Sequence, residues 1–216
     1  MTRKRVAILI SGRGSNMDAL IAAAQASDYP AEIALVVSNV ADAAGLARAR
    51  EAGIATAVVD HQLHGKDRAA FEAALQDLLD ANRIVLICLA GFMRLFTAAF
   101  VQRWHGRILN IHPSLLPSFP GLDPHGQALR AGVKISGATV HFVIAETDAG
   151  PIVAQGAVAV HEGDTAETLA ARVLAVEHRL YPLALGLLAQ ERIRIVEGRC
   201  AIDGAAASDA TMLVPQ

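Results

Sequence analysis

Short apolar runs alternate with longer amphipathic segments through the first half of the chain. Runs rich in Val, Ile and Leu are typical of strands that are buried on both faces of a parallel sheet. The pattern predicts strands at Val6–Ser11, Ile33–Ser38, Ala55–Asp60, Ile84–Ala90 and Arg107–Ile111. Apolar residues at helical spacing predict helices between them, at Met17–Ala26, Ala41–Ala52, Asp67–Ala81 and Thr97–Trp104.

The pattern changes after Gly121. Two neighbouring strands are predicted, followed by two helices and a small hairpin, at Ser136–Val143, Ile152–Val160, Thr165–His178, Tyr181–Gln190 and residues 193–204. Alternation of strands and helices implies a parallel sheet with right-handed crossovers and helices on both faces. The sequence therefore predicts an α/β fold with a doubly wound, mostly parallel sheet and a small C-terminal hairpin.

The chain shows no internal repeat and no low-complexity linker, so a single domain is predicted at residues 1–204. Its two halves are residues 1–110 and 111–204, and residues 205–216 are predicted to form a loose tail. A chain of 216 residues is long enough to bury a core without disulfide or metal staples.

Composition and charge narrow the functional classes. The chain is 53% hydrophobic and 19% charged, with a formal net charge of −2, so neither disorder nor nucleic-acid binding is expected. A few placed donors still suffice to hold a small anion. Cys88 and Cys200 are isolated from each other, and the longest apolar run, Ile84–Met93, is about half a membrane span. We therefore expect a soluble, cytoplasmic protein that contacts no membrane.

A glycine-containing loop, Ser11–Asn16, joins the first predicted strand to the first helix. The start of the helix that follows this loop favours an anion, because free backbone N–H groups point outward there. The dinucleotide fingerprint fails because Met17 stands where a third glycine is needed, and no Gly-Lys pair follows. The loop suits a single phosphate group, although a tight turn capped by Ser15 or Asn16 explains the same residues.

The segment NIHPSLLPSFPG, residues 110–121, carries candidate chemistry. Asn110 and His112 are two residues apart, so an extended backbone points both side chains the same way. Pro113 restricts His112 to extended conformations, and such preorganised groups suit an oxyanion. Asp148 is the candidate carboxylate behind the imidazole. The alternative is a rigid proline loop with a surface histidine; neither a serine nucleophile nor a metal site is supported.

Further stretches accompany this segment, namely SGRGSN at 11–16, AGFMRLF at 90–96, VHFV at 140–143, ETDAGP at 146–151 and EHRLYP at 177–182. In aggregate they resemble the family of folate-dependent phosphoribosylglycinamide formyltransferases of purine biosynthesis, over nearly the whole chain. The proline-rich segment alone is shared by a wider group of formyl-folate transferases and hydrolases. The SGRGSN stretch is similar to the phosphate site of the glycinamide ribonucleotide enzymes.

The resemblance implies a Rossmann-like formyltransferase fold and a specific reaction. The amine of N1-(5-phosphoribosyl)glycinamide attacks the formyl carbon of the co-substrate 10-formyltetrahydrofolate, without a metal. Asn110 and His112 are implied to stabilise the oxyanion and move protons, while Asp148 orients and charges the imidazole. Residues 1–110 are implied to form the ribonucleotide half, and residues 111–204 the folate-binding and catalytic half.

The resemblance also implies the binding residues. Gly14, Ser15 and Asn16 match the residues that hold the ribonucleotide phosphate, and Glu177 matches the contact to the ribose hydroxyls. The folate pocket is matched by Arg68, Met93, Arg94, Leu95, Phe96, Asn110, Ile144, Ala145, Glu146, Thr147 and Asp148. His141 also falls on a histidine of the family's site. The implied partners are small molecules, and a monomer or homodimer is expected.

The chain departs from the family pattern at three positions. Ala149 replaces a frequent glycine, and Asp123 and Gly126 stand where histidine and arginine are frequent, so loop closure is expected to differ. Two alternatives to the transferase stay open. One is a formyltetrahydrofolate hydrolase, which resembles a chain with an added N-terminal domain and lacks the SGRGSN loop. The other is a non-catalytic nucleotide-binding module, in which His112 has no role.

Overall fold

The computed structural model describes residues 2–204 and residue 214, so the tail predicted at 205–216 lies outside the described residues apart from Val214. The strands are β1 Lys4–Ile10, β2 Ala31–Ser38, β3 Thr56–Val58, β4 Leu86–Leu89, β5 Ile108–His112, β6 Ile135–Phe142, β7 Ile152–Ala159, β8 Ile193–Val196 and β9 Arg199–Ile202. The helices are α1 Ser15–Ala24, α2 Ala44–Glu51, α3 Arg68–Ala81, α4 Ala98–Arg103, α5 Pro124–Arg130 and α6 Ala166–Ala189.

The first seven strands form one sheet in the order β3-β2-β1-β4-β5-β6-β7. Neighbouring strands from β3 to β5 are parallel, whereas β6 runs antiparallel to both β5 and β7. Strands β8 and β9 form the separate hairpin. The predicted fold class, a doubly wound and mostly parallel sheet with a C-terminal hairpin, is confirmed. The strand order reverses between β1 and β4, which is where ligands bind in such sheets.

Two apolar layers cover the sheet, and β1 contributes to both. Val6, Ile8 and Ile10 pack with α1, α2 and α6, whereas Ala7 and Leu9 pack with α3 and α4. Successive side chains of a strand point to opposite faces, so a strand that is covered on both sides must be apolar throughout. This requirement explains why the buried strands are continuous apolar runs in the sequence.

The predicted helices at Thr165–His178 and Tyr181–Gln190 are wrong as separate elements, because α6 is one continuous helix. Pro182 lies inside it and removes one backbone donor. An uninterrupted apolar face outweighs that loss: Leu169, Val173, Tyr181 and Leu185 are fully buried. Helix α5 and a 3-10 turn at His61–His64 were not predicted.

An aromatic stack runs beneath the α3 and α4 face of the sheet. Neighbouring ring centroids are 6.5, 5.4, 4.6 and 6.4 Å apart along Phe71, Phe92, Phe96, Phe100 and Trp104. The buried Trp104 donates its Nε1–H to the side chain of Gln76 at 2.8 Å. The stack thereby fixes Phe92 and Phe96, which follow β4.

Within residues 2–204, no helix combines the length and apolarity needed to cross a membrane.

Candidate active site

A cavity of about 510 Å³ opens at the carboxyl ends of β1, β4 and β5. It is lined by Asn16, Leu89, residues 91–96, Val101, residues 110–113, residues 121–124, His141, residues 143–148 and Glu177. These segments come from both halves of the chain. Their meeting at the strand-order reversal agrees with the position expected for a ligand site.

Strand pairing places two candidate residues opposite each other. Asn110 of β5 faces His141 of β6 across the antiparallel pair, and Asn110 Nδ2 lies 3.2 Å from His141 Nε2. His141 Nδ1 lies 2.9 Å from the carbonyl oxygen of Phe142, which can only accept, so Nδ1 carries the hydrogen. Nε2 then accepts from the Asn110 amide. The second N–H of that amide is available to a ligand.

Burial controls the protonation of His141. The side chain is 3% exposed, and desolvation lowers its pKa, opposed by the Phe142 carbonyl and by the charge of Asp148. The neutral form at neutral pH agrees with its role as an acceptor from Asn110. His141 therefore orients the amide.

His112 and Asp148 form the second pair of the site. His112 Nδ1 lies 3.5 Å from Asp148 Oδ2, and their side chains are 8% and 9% exposed, so solvent screens the pair only weakly. The other nitrogen, Nε2, lies 3.1 Å from the Phe119 carbonyl oxygen. Both ring nitrogens of His112 thus face acceptor atoms, one from Asp148 and one from the Phe119 backbone.

Asp148 is held from the opposite side by the proline-rich segment. Its Oδ2 accepts from the backbone N–H of Gly121 at 2.9 Å. Its backbone is in the left-handed region, with φ of 54°, a conformation in which Asp and Asn are enriched. The sequence prediction that Asn110, His112 and Asp148 converge agrees with this geometry. The role of the Phe119 carbonyl was not predicted, because a backbone acceptor leaves no side-chain signal.

The loop after β1 leads into α1 through Gly14, which occupies the N-cap position without a side-chain cap. The alternative in which Ser15 or Asn16 caps this helix is therefore wrong. Gly14 has a φ of 67°, which glycine adopts without strain. With no side chain at the cap, the first N–H groups of α1 keep their capacity for an anion.

Asn16 and Glu177 meet in the cavity wall. Asn16 Nδ2 donates to Glu177 Oε2 at 2.9 Å, whereas Asn16 Oδ1 is buried without a hydrogen-bond partner. Burial raises the pKa of Glu177, and the Asn16 bond and the charge of His112 lower it in part. A buried carboxylate beside an unsatisfied amide oxygen marks a polar site rather than a packing site.

Ionisation of the buried Glu177 carboxyl therefore destabilises the folded state. Because its folded pKa is raised, the stability that it contributes below its unfolded pKa is lost as the pH rises through the folded pKa. We expect Glu177→Gln, which keeps the acceptor for Asn16, to be about 1 kcal/mol more stable than wild type at pH 7.5 and no more stable at pH 4. Urea unfolding at both pH values measures this, with exposed Glu162→Gln as the control. An equal difference at both pH values would contradict it.

The other predicted residues divide into two groups. Met93, Arg94, Leu95 and Phe96, and all residues from Ile144 to Asp148, line the cavity. Gly14 is the N-cap of α1, Ser15 is the first residue of that helix, and Arg68 is the exposed first residue of α3. None of these three is among the lining residues. The cavity also includes Phe92 and Leu122, which were not predicted.

The departure at Gly126 has a local structural reason. Asp123 has a φ of 54° and caps α5, with its Oδ1 accepting from Gly126 N at 3.1 Å. A Cβ on Gly126 would lie 2.3 Å from Asp123 Oδ2, so the Asp123 cap requires glycine at position 126.

Among the described residues, no group of three or more His, Cys, Asp or Glu side chains is arranged to hold a metal ion.

Comparison with known proteins gives the class to which this fold and site belong. The family model described as formyl transferase matches residues 4–185, and the chain belongs to this family. It is 43% identical over 202 residues to the phosphoribosylglycinamide formyltransferase of Escherichia coli (strain K12), covering 92% of this chain and 93% of that protein. The match to this phosphoribosylglycinamide formyltransferase thus extends over nearly the full length of both proteins.

Two further relatives extend this likeness. The solved structure of glycinamide ribonucleotide transformylase 1 from Symbiobacterium toebii superimposes with a TM-score of 0.89 at 48% identity, covering 93% of this chain and 94% of the other. The trifunctional purine biosynthetic protein adenosine-3 of Bos taurus is 50% identical over 195 residues. That match covers 90% of this chain but spans 19% of the bovine protein.

Proposed function

We propose that the chain transfers the formyl group of 10-formyltetrahydrofolate to the amine of N1-(5-phosphoribosyl)glycinamide in purine biosynthesis. Relatives that match it at nearly full length are phosphoribosylglycinamide formyltransferases, and the site carries the chemistry that this reaction needs. The observation that supports this proposal most strongly is that Asn110, His112 and the Asp148 carboxylate converge on one cavity. The donor and the residue roles rest on that geometry together with the family likeness.

The reaction proceeds by addition and elimination at the formyl carbon. The amine nitrogen forms a bond to this carbon, and the carbonyl oxygen becomes an oxyanion. The free N–H of Asn110 and the N–H of His112 stabilise that oxyanion. Breaking the carbon–nitrogen bond to the folate restores the carbonyl, and the proton lost by the attacking amine is moved to the leaving nitrogen. Asp148 stabilises the positive charge on His112 during these transfers.

Reaching the formyl oxygen requires the Nε2 contact of His112 to change. In the structure His112 Nε2 lies 3.1 Å from the Phe119 carbonyl oxygen, while Nδ1 faces Asp148. The Phe119 backbone has a φ of 55°, so a small turn rather than regular structure holds the carbonyl there. Substrate binding is proposed to exchange this carbonyl for the formyl oxygen.

The two substrates are proposed to enter from opposite sides. Met93 and Leu95, with 74% and 63% of their surface exposed, supply an apolar wall for the folate rings, and Ile144–Asp148 supply the facing wall. Arg68 is proposed to approach the folate from the start of α3. Gly14, Ser15 and Asn16 hold the ribonucleotide phosphate, and Glu177 accepts from the ribose hydroxyls.

The phosphate assignment predicts a selective loss of binding. A Cβ on Gly14 would lie 3.3 Å from Met17 Cβ and 3.4 Å from Ile10 Cγ2, so Gly14→Ala shifts the loop. We expect its Kd for the ribonucleotide to rise at least about tenfold, because misaligned N–H groups hold the phosphate poorly. Its Kd for tetrahydrofolate should not change. Both are measured by calorimetry.

Gly53→Ala is the matched control for that variant. Gly53 also has a positive φ, of 76°, with no atom within 4 Å of an added Cβ, and it lies beyond α2. Both variants carry the backbone strain of a left-handed alanine, about 1–2 kcal/mol. Equal weakening of ribonucleotide binding in both would reject the phosphate assignment.

The function itself is tested by the dependence of folate consumption on the ribonucleotide. A transferase positions the attacking amine of the ribonucleotide next to the formyl carbon, whereas it does not position water in this way. Formyl-folate consumption should therefore be slow alone and rise steeply when phosphoribosylglycinamide is added, with no added metal. Equally fast consumption in its absence would identify a formyltetrahydrofolate hydrolase. Binding of the ribonucleotide without any turnover would identify the non-catalytic module.

Cellular placement and assembly remain sequence-based proposals. We propose a cytoplasmic enzyme that works as a monomer or homodimer, with no metal in the reaction.

A further inference from the structure

The two substrate-facing segments of the cavity meet at the hydroxyl of Ser11. This residue directly follows β1 and opens the loop that leads to Gly14 and Asn16. Its Oγ accepts from the backbone N–H of Met93 at 2.8 Å and donates to Asn39 Oδ1 at 2.5 Å. The direction of both bonds is fixed, because a backbone N–H only donates and an amide oxygen only accepts.

Asn39 is itself a fixed anchor. It is 3% exposed and follows β2, and its carbonyl oxygen lies 2.7 Å from His61 Nδ1. Its backbone N–H also donates to the Ile10 carbonyl at 3.4 Å. The Ser11 hydroxyl cannot turn away without leaving the buried Asn39 Oδ1 short of a donor, which is unfavourable.

The Met93–Phe96 segment is also held by the Arg94 guanidinium, which lies 5.0 Å from the Phe71 ring centroid, whereas Met93 itself is held by the hydroxyl contact. The Met93 and Leu95 side chains project outward, as their exposure shows, so packing does not hold this part of the segment. Phe92 and Phe96 anchor it through the aromatic stack. One backbone bond, from Ser11 N to Gly91 O at 3.2 Å, adds to the hydroxyl contact. Of these links, only the hydroxyl joins the ribonucleotide loop to the folate-facing residue Met93.

We infer that Ser11 is a positioning residue that couples the two substrate sites. Through its hydroxyl, the Ser11–Asn16 loop and the Met93–Phe96 segment keep one relative position, so that ordering of either by its ligand favours binding of the other. This inference rests on the proposed assignment of the ribonucleotide to the first segment and of the folate to the second.

Ser11→Ala tests the coupling and keeps the Ser11–Gly91 backbone bond. The KM for 10-formyltetrahydrofolate should rise roughly threefold to tenfold, the effect of one hydrogen bond, while kcat stays within about twofold. In calorimetry, saturating tetrahydrofolate should tighten ribonucleotide binding in wild type and leave it unchanged in Ser11→Ala. Ser11→Thr retains a hydroxyl and should restore both quantities.

Ser38→Ala is the matched control. Ser38 is also a buried serine at the end of a neighbouring strand, but its hydroxyl bonds only within its own turn, to Val40. We expect wild-type KM and wild-type coupling in this variant. The Tm of every variant is recorded, so that a loss of stability is separated from a loss of coupling.

Three outcomes overturn the inference: unchanged KM and coupling in Ser11→Ala, equal loss in Ser38→Ala, or a loss that Ser11→Thr does not restore. Failure of the proposed function is a different result, namely wild-type enzyme that does not transfer formyl to the ribonucleotide. The calorimetric coupling needs no turnover, so it decides the role of Ser11 in that case as well.

Discussion

The Asp148→Asn enzyme is expected to lose roughly 10²–10⁴ in kcat, the usual contribution of a positioned proton-transfer system. Asparagine preserves the shape of the site, because its oxygen can still accept from Gly121 and its backbone tolerates the φ of 54° at this position. What it removes is the negative charge 3.5 Å from His112 Nδ1. Without that charge, the cationic imidazole that we propose to form during catalysis is no longer stabilised.

The measurement is single-turnover and steady-state kinetics of formyl transfer, with calorimetry of both substrates. Binding should stay within about threefold, so that the loss appears in kcat. Asp28→Asn, an exposed carboxylate between α1 and β2, is the matched control and should behave as wild type. A kcat within tenfold of wild type in Asp148→Asn would remove this carboxylate from the mechanism.

The Asn110→Ala enzyme is expected to lose about 10²–10³ in kcat, the effect of removing one oxyanion donor. His141 holds the Asn110 amide in place from the opposite strand at 3.2 Å, so the free N–H has a fixed direction. Alanine removes this donor and leaves the backbone of β5 intact. The loss should fall on kcat far more than on KM, because the oxyanion exists only after attack.

Asn110→Asp separates hydrogen-bond donation from shape. It has the same size as asparagine but presents only acceptors when ionised, so it should be at least as impaired as Asn110→Ala. Kinetics of both variants with saturating ribonucleotide give the comparison. If Asn110→Asp keeps most of the wild-type kcat, Asn110 does not act as the oxyanion donor.

The sheet and the shared direction of Asn110 and His112 could be predicted because they depend on the local pattern of residues along each strand. Alternation along β1 requires apolar residues on both faces, and spacing of two along β5 places Asn110 and His112 on one side. Asp148 was located by its chemistry and by family likeness rather than by spacing, since a distant loop brings it to His112. The predicted roles of these residues await the kinetic tests above.

The features that escaped prediction depend on tertiary context. Pro182 favours a break in α6, and only the burial of a continuous face explains why the helix continues. Helix α5 depends on Asp123, whose left-handed backbone and side-chain cap are not visible in a pattern of apolar residues. The Phe119 carbonyl at His112 and the Ser11 bond to Met93 involve backbone atoms, which are the same in every residue type.

The aromatic stack gives this protein a built-in optical probe. The chain contains one tryptophan, so all indole emission comes from Trp104, which is 3% exposed and lies at one end of the stack whose members Phe92 and Phe96 line the cavity. Loss of the α3 and α4 packing brings the indole into water and shifts its emission to longer wavelength. Unfolding on this face can therefore be followed by fluorescence in the unmodified chain, without a label or an added residue.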